Sequence, residues 1–202
     1  MKLYFSPGAC SLSCHISLRE ADLAFDLEKV NIHGDHTTAV GKDYYAVNPK
    51  GYVPALALDS GEVLTENAAI HQYIADQRPE KHLAPLAGTM ARLRLQEWLH
   101  FTGTELHKTF GPLFRKDAPE ATKQSARELL AKRFAYVDKQ LEGNAYLLGY
   151  EFTVADAYLY VMLVWADHNK LDLPPGLRAY KDRITARPAV QAALDVEQSA
   201  RD

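Results

Sequence analysis

The sequence predicts an α/β domain over residues 1–80 followed by an all-α domain over residues 87–202. Three observations carry that division. Short β-prone runs alternate with helical patterns only as far as Asp76. Arg78-Pro79-Glu80-Lys81-His82 and Pro85 then break the periodicity, as a linker does. From Thr89 onward the apolar residues recur at helical spacing and no convincing strand is found.

Leu3 to Phe5 is a β-prone run that ends at a Ser6-Pro7-Gly8 breaker. Residues 11–21 then carry apolar positions at Leu12, Ile16 and Leu18, the spacing of an amphipathic helix. Residues 25–30 alternate as a half-buried strand, which makes a β-α-β unit with a parallel pair and a right-handed crossover. Residues 31–49 read as a loop holding a short helix near Asp43-Tyr44-Tyr45. Residues 53–58 and 63–65 are strand-like and are joined by the turn Asp59-Ser60-Gly61-Glu62, so they form an antiparallel hairpin. A helix over residues 66–76 completes the order β-α-β-α-β-β-α. The second domain shows helical patterns over 90–108, 119–141, 153–169, 177–187 and 189–199. Thr153-Val154-Ala155-Asp156 has the form of a capping box, with Phe152 placed as its staple residue opposite a small Ala157.

The bulk properties exclude several classes. Apolar content of 47% with 24% charged residues is that of a globular chain rather than a disordered one. A net charge of -3 provides no electrostatic footprint for nucleic acid. The longest apolar run, residues 158–166, is too short to span a bilayer, and the beginning lacks the pattern of a secretion signal. A cytoplasmic protein is expected. Its two cysteines, Cys10 and Cys14, lie one helical turn apart and do not form a framework that would staple distant loops.

Cys10 is the residue with the clearest chemical promise. It falls in the first turn of the first helix, where unpaired N–H groups and a partial positive charge favour a thiolate. Cys14, His15 and His71 read as structural, and the histidines never reach zinc spacing with the cysteines, so no metal is expected. Asp156 reads as a cap. Tyr44, Tyr45 and Trp165 are most simply core or interface aromatics.

Three segments, Ser6-Pro7-Gly8-Ala9-Cys10-Ser11-Leu12-Ser13, Val47-Asn48-Pro49-Lys50-Gly51-Tyr52-Val53-Pro54-Ala55-Leu56 and Thr104-Glu105-Leu106-His107-Lys108, occur in that order. Together with the domain order they resemble the cytosolic glutathione transferases, and within them the bacterial beta class. The resemblance spans essentially the whole chain. It implies an N-terminal thioredoxin-like domain that binds glutathione, and an all-α domain that supplies the site for a small hydrophobic electrophile and part of a homodimer interface. Glutathione is then a co-substrate rather than a resident cofactor, and no metal, nucleic acid or membrane is implied.

The resemblance also implies roles for single residues. Val53 would offer its N–H and C=O to the glutathione backbone as an added strand does, beside Ala9 and a cis Val53-Pro54 bond. Asn67 would take the γ-glutamyl carboxylate at a helix N-terminus, with Glu66 supporting that end. Cys10 would either stabilise the glutathione thiolate or form a mixed disulfide with it. His107 would orient the thiols, with Thr104 on the same helix face, Thr104 and Glu105 among the glutathione-binding residues and Lys108 as a charge partner for a glutathione carboxylate. His100 would line the dimer interface or reach the other subunit's site. Where the class commonly places a lysine for the glycine carboxylate, this chain reads His33-Gly34-Asp35-His36. His36 is the available donor there, and Asp35 would oppose a carboxylate. Two other functions stay open on the sequence: a glutathione-dependent thiol oxidoreductase, and a non-catalytic module that binds hydrophobic ligands or a partner.

Overall fold

The computed structural model describes residues 1–201. Its first half runs β1 (Lys2–Phe5), α1 (Ser11–Glu20), β2 (Asp26–Lys29), β3 (Ala55–Ala57), β4 (Val63–Thr65) and α2 (Asn67–Gln77). The sheet order is β2-β1-β3-β4, with β1 and β2 parallel and the other neighbours antiparallel. The parallel pair and the hairpin expected from the sequence are therefore present. The helix expected between β2 and β3 is a single 3-10 turn, Tyr44–Ala46, started by Asp43, whose carboxylate accepts the Tyr45 N–H at 3.0 Å.

The chain packs as two units, Met1–Leu83 together with everything from Ala186 onward, and Ala84–Thr185. The boundary between the units lies near residue 83, and the last helix, α8 (Pro188–Ser199), within the 87–202 span, groups with the first unit. It lies on α1 and buries Val190, Ala193 and Glu197. Periodicity reveals that such a helix has an apolar face and says nothing of which surface covers that face. The Arg187 guanidinium grips the Glu20 carboxylate at 2.6 and 2.8 Å, and the Lys29 ammonium donates to the Ala200 carbonyl, so both ends of this segment are tied to the first unit.

One consequence differs from the sequence reading. The helix α1 is buried on every face from Ser11 to Leu18, because β1, α2 and α8 all pack on it. Its polar residues must then find partners inside the protein, since an unpaired buried polar group costs roughly 1–3 kcal/mol. Ser11 exchanges hydrogen bonds with the Ser6 backbone, and Ser17 meets His71 at 2.9 Å. His15 faces Glu197 through Nδ1 at 3.4 Å and meets the Arg19 guanidinium through Nε2 at 2.9 Å.

The second unit contains α3 (Met90–Phe101), α4 (Gly111–Phe114), α5 (Glu120–Gln140), α6 (Val154–His168) and α7 (Pro175–Thr185). The expected helix over 90–108 changes its winding after Phe101, to a π-helical turn over Thr102–His107 and then a 3-10 turn over Lys108–Phe110. The helix α6 is the core of this unit and is buried around most of its circumference. Its capping box forms as expected, with Asp156 accepting the Thr153 N–H and hydroxyl at 2.8 Å each. Among the described residues no helix is long and apolar enough to cross a membrane.

Candidate active site

The first cluster is built on the turn before α1. Gly8 sits at φ 75°, where a side chain is strained, and donates its N–H to Glu197 Oε2 at 2.8 Å. The turn closes with Ala9 N–H to the Ser6 carbonyl at 3.0 Å and delivers Cys10 as the N-cap of α1. Cys10 is 8% exposed, and its thiol donates to the Val53 carbonyl at 3.2 Å. Val53 precedes a cis bond to Pro54 and packs with Val30, Tyr44 and Ala55, with Ala9 against the same group. Two donors hold the adjoining peptide, the Tyr44 hydroxyl and the Asn48 amide, at 2.8 and 2.7 Å from the Tyr52 carbonyl. The thiol and the Val53 backbone, distant in sequence, thus share one rigid corner.

The start of α2 adds Glu66 and Asn67. Glu66 is held at φ 72°, ψ 122°, a conformation that L residues rarely adopt and that tends to collect at functional sites. Its exposed carboxylate meets Lys50 Nζ at 2.5 Å, and Lys50 also donates to the Thr65 hydroxyl at 2.8 Å. This pair is solvent-exposed and contributes at most about 1 kcal/mol to stability. Asn67 is buried, and its Oδ1 accepts the Cys14 thiol at 3.1 Å and lies 3.4 Å from the Ser13 hydroxyl.

His36 lies on the 31–43 loop at φ 54° and stacks on Tyr45 with ring centroids 4.7 Å apart, its Nδ1 buried without a partner. Asp35 is bound into its own turn by the Thr37 hydroxyl and N–H and by the Asn31 amide, at 2.9, 3.2 and 3.1 Å. The Thr37 hydroxyl, followed by its N–H, holds the Asp35 carboxyl below the usual range. Asp35 is therefore the organiser of a tight turn.

A second cluster lies in the helical unit, around the π-helical turn, a distortion often found at functional sites. His107 Nδ1 is 2.6 Å from the Tyr158 hydroxyl, and its ring meets Trp165 edge-on at 5.0 Å. Trp165 also meets Phe110 and Phe114 edge-on at 5.6 and 4.9 Å, which makes a continuous aromatic wall. Tyr158 and Trp165 are seven residues apart on α6, so the shared face was readable from their spacing. Thr104 is exposed and donates to the His100 carbonyl at 3.0 Å, and Lys108 is exposed. Glu105 forms a two-pronged ion pair with Arg133 on α5, at 2.6 and 2.9 Å. Arg133 reaches that carboxylate because α5 packs beside the turn.

Beneath the first cluster lies a residue whose connections spacing did not reveal. His71 is wholly enclosed, and burial lowers its imidazole from the usual 6.5 to about 3. The folded value lies below the unfolded one, so this group's contribution to stability is whole above pH 6.5 and is lost as pH falls toward 3. Between pH 7.5 and 5 the wild type should lose about 2 kcal/mol that a His71→Gln variant does not. Urea unfolding at the two pH values measures this, and equal losses in both proteins would refute it. Among the described residues no group of three or more His, Cys, Asp or Glu side chains could hold a metal ion.

Comparison with known proteins places this geometry. Residues 7–77 match the family model "Glutathione S-transferase, N-terminal domain", and residues 101–188 match "Glutathione S-transferase, C-terminal domain". The chain is 46% identical over 199 residues to glutathione S-transferase GstA of Escherichia coli O157:H7, covering 98% of each. It is 48% identical to a sphingomonad glutathione S-transferase solved in complex with glutathione, with a TM-score of 0.94 and coverage of 98% and 99%. A beta-class glutathione S-transferase of Sphingomonas chungbukensis is also 48% identical, with a TM-score of 0.92 and 98% coverage of both chains. The chain belongs to the glutathione S-transferase family, in its bacterial beta class.

Proposed function

We propose that the protein conjugates the glutathione thiol to small hydrophobic electrophiles, with Cys10 also competent for thiol–disulfide exchange. The observation that carries this reading is the corner made by Cys10, Val53 and the start of α2. A tripeptide laid along Val53 could bond the Val53 N–H and C=O through its cysteine backbone, as an added strand does. Its sulfur would then lie toward the thiol that already donates to the Val53 carbonyl. The γ-glutamyl carboxylate would fall at the N-terminus of α2, where backbone N–H groups and Asn67 favour an anion. Glu66, exposed and tethered to Lys50, would receive the γ-glutamyl ammonium.

Ala9 lines the peptide beside Val53 and Pro54. His36 and Lys108 are donors for the carboxylates, and Thr104 is a polar contact. His107 orients the reacting sulfur through the imidazole that Tyr158 holds at 2.6 Å. Phe114 offers an exposed apolar ring to an aromatic electrophile, backed by the buried Trp165 and Phe110. Glu105 serves chiefly to brace the turn through Arg133. The enzyme works in the cytoplasm as a homodimer. The exposed apolar face of α3, with Met90 and Leu93, supports pairing with a second copy.

Purified protein assayed with glutathione and 1-chloro-2,4-dinitrobenzene should release chloride and form the thioether, and should be retained on immobilised glutathione. Absence of both turnover and retention would overturn the proposal. Saturable binding of hydrophobic dyes without turnover would favour the non-catalytic reading instead.

A further inference from the structure

We propose that His71, acting through Ser13 and Cys14, is a positioning residue that fixes the orientation of the Asn67 amide and the Cys10 carbonyl for glutathione binding. The proposal rests on the reading that Asn67 receives the γ-glutamyl carboxylate. It adds the group that makes Asn67 a donor.

Ser17 lies 2.9 Å from His71 Nδ1, and Ser13 Oγ lies 3.0 Å from His71 Nε2. The Ser13 hydroxyl has two acceptors, the Cys10 carbonyl at 2.7 Å and Asn67 Oδ1 at 3.4 Å, and with its one hydrogen on the nearer carbonyl its oxygen is an acceptor toward His71. His71 must then carry its proton on Nε2, donating to Ser13, while Nδ1 accepts the Ser17 hydroxyl. Burial keeps the ring neutral, as this tautomer requires. The same Nε2–H lies 4.0 Å from Cys14 Sγ.

Cys14 completes the relay. Burial, with the nearby Cys10 second, pushes its thiol well above the usual value, so it stays an S–H donor. Its hydrogen is directed to Asn67 Oδ1 at 3.1 Å. An amide whose oxygen is held inward against α1 has its Nδ2 turned away from α1. The polarity of Asn67 is thereby set as a donor at a helix N-terminus, the arrangement an incoming carboxylate needs. With an apolar residue at position 71, Ser13 would lose its donor and both Ser13 and the amide could reorient. The four side chains, Ser13, Cys14, Ser17 and His71, are buried and reach Cys10 and Asn67 from beneath, so their role is exerted through other residues rather than on the substrate.

The test compares glutathione with its analogue lacking the γ-glutamyl α-carboxylate, each with 1-chloro-2,4-dinitrobenzene. Wild type should prefer glutathione in kcat/KM, and Asn67→Ala should lose that preference. His71→Leu and Ser13→Ala should raise the glutathione KM about 5–10-fold, change kcat less than about twofold, and leave the analogue's KM unchanged. His71→Gln, which retains a donor toward Ser13, should restore most of the preference. A general loss of packing would instead weaken both substrates alike. Ser13→Ala keeps the test available if His71→Leu does not fold. A wild type without preference would overturn the Asn67 reading and the proposal with it. Loss of preference in Asn67→Ala alongside full preference in His71→Leu and Ser13→Ala would overturn the positioning role alone.

Discussion

Replacing Asp156 with alanine should lower the unfolding free energy by about 3–5 kcal/mol. The carboxylate is fully buried and accepts four bonds, from the Thr153 N–H and hydroxyl, the Leu147 N–H at 2.8 Å and the Tyr180 hydroxyl at 2.6 Å. Its loss orphans all four donors and frees the start of α6, the segment about which the helical unit is built. Burial raises the Asp156 carboxyl above its usual value despite these bonds, so desolvation outweighs them. With the folded value above the unfolded one, the group contributes stability that is present at low pH and is lost as pH rises through the folded value. Acid should therefore not mimic the substitution. The gap between wild type and Asp156→Ala in urea unfolding should widen slightly as pH falls, and a gap that closes on acidification would show that charge rather than orphaned donors is responsible.

The second large effect concerns reaction type. Cys10→Ser should reduce thiol–disulfide exchange by a factor on the order of 10³ or more, while conjugation stays within about tenfold of wild type. In the proposed exchange, the Cys10 thiolate would attack the glutathionyl sulfur of a mixed disulfide, forming a Cys10–glutathione disulfide and releasing the other thiol as its thiolate, which takes up a proton. The thiolate of a second glutathione then attacks the glutathionyl sulfur, releasing glutathione disulfide and regenerating Cys10. Serine has no sulfur with which to form that bond. In conjugation the electrons come from the glutathione thiolate and the leaving group is chloride, so position 10 has only to donate a hydrogen bond, which a hydroxyl can do. Parallel assays with hydroxyethyl disulfide and the chloro-nitroaromatic separate the two. Loss of conjugation equal to the loss of exchange would make Cys10 indispensable to both reactions and refute the division.

Much of this was legible in the sequence because it depends on local rules. Alternation and turn chemistry located the strands and the β3–β4 hairpin, Pro79 and Pro85 marked the linker, and the Thr153-x-x-Asp156 spacing located a helix start. What spacing could not supply was the set of surfaces closing on α1. The spacing of Leu12, Ile16 and Leu18 read as one apolar face of an amphipathic helix, yet α8 packs on α1 as well and the helix is buried from Ser11 to Leu18. The partner of Glu105 was hidden for the same reason, since Arg133 is distant in sequence and adjacent only through helix packing.

The sequence by itself determined the order of the strands, the thiol at a helix N-terminus, the Val53-Pro54 pair before β3 and the family. Those follow from contacts and propensities within a few residues, and from motifs that preserve them. Only the tertiary structure decided that α8 joins the first unit, that Asp156 serves four donors, and that His71, Ser13, Ser17 and Cys14 form one hydrogen-bonded relay beneath Cys10 and Asn67. Burial is a property of the assembled chain, and only once α1 is enclosed do its polar atoms have no solvent to bond and must bond one another.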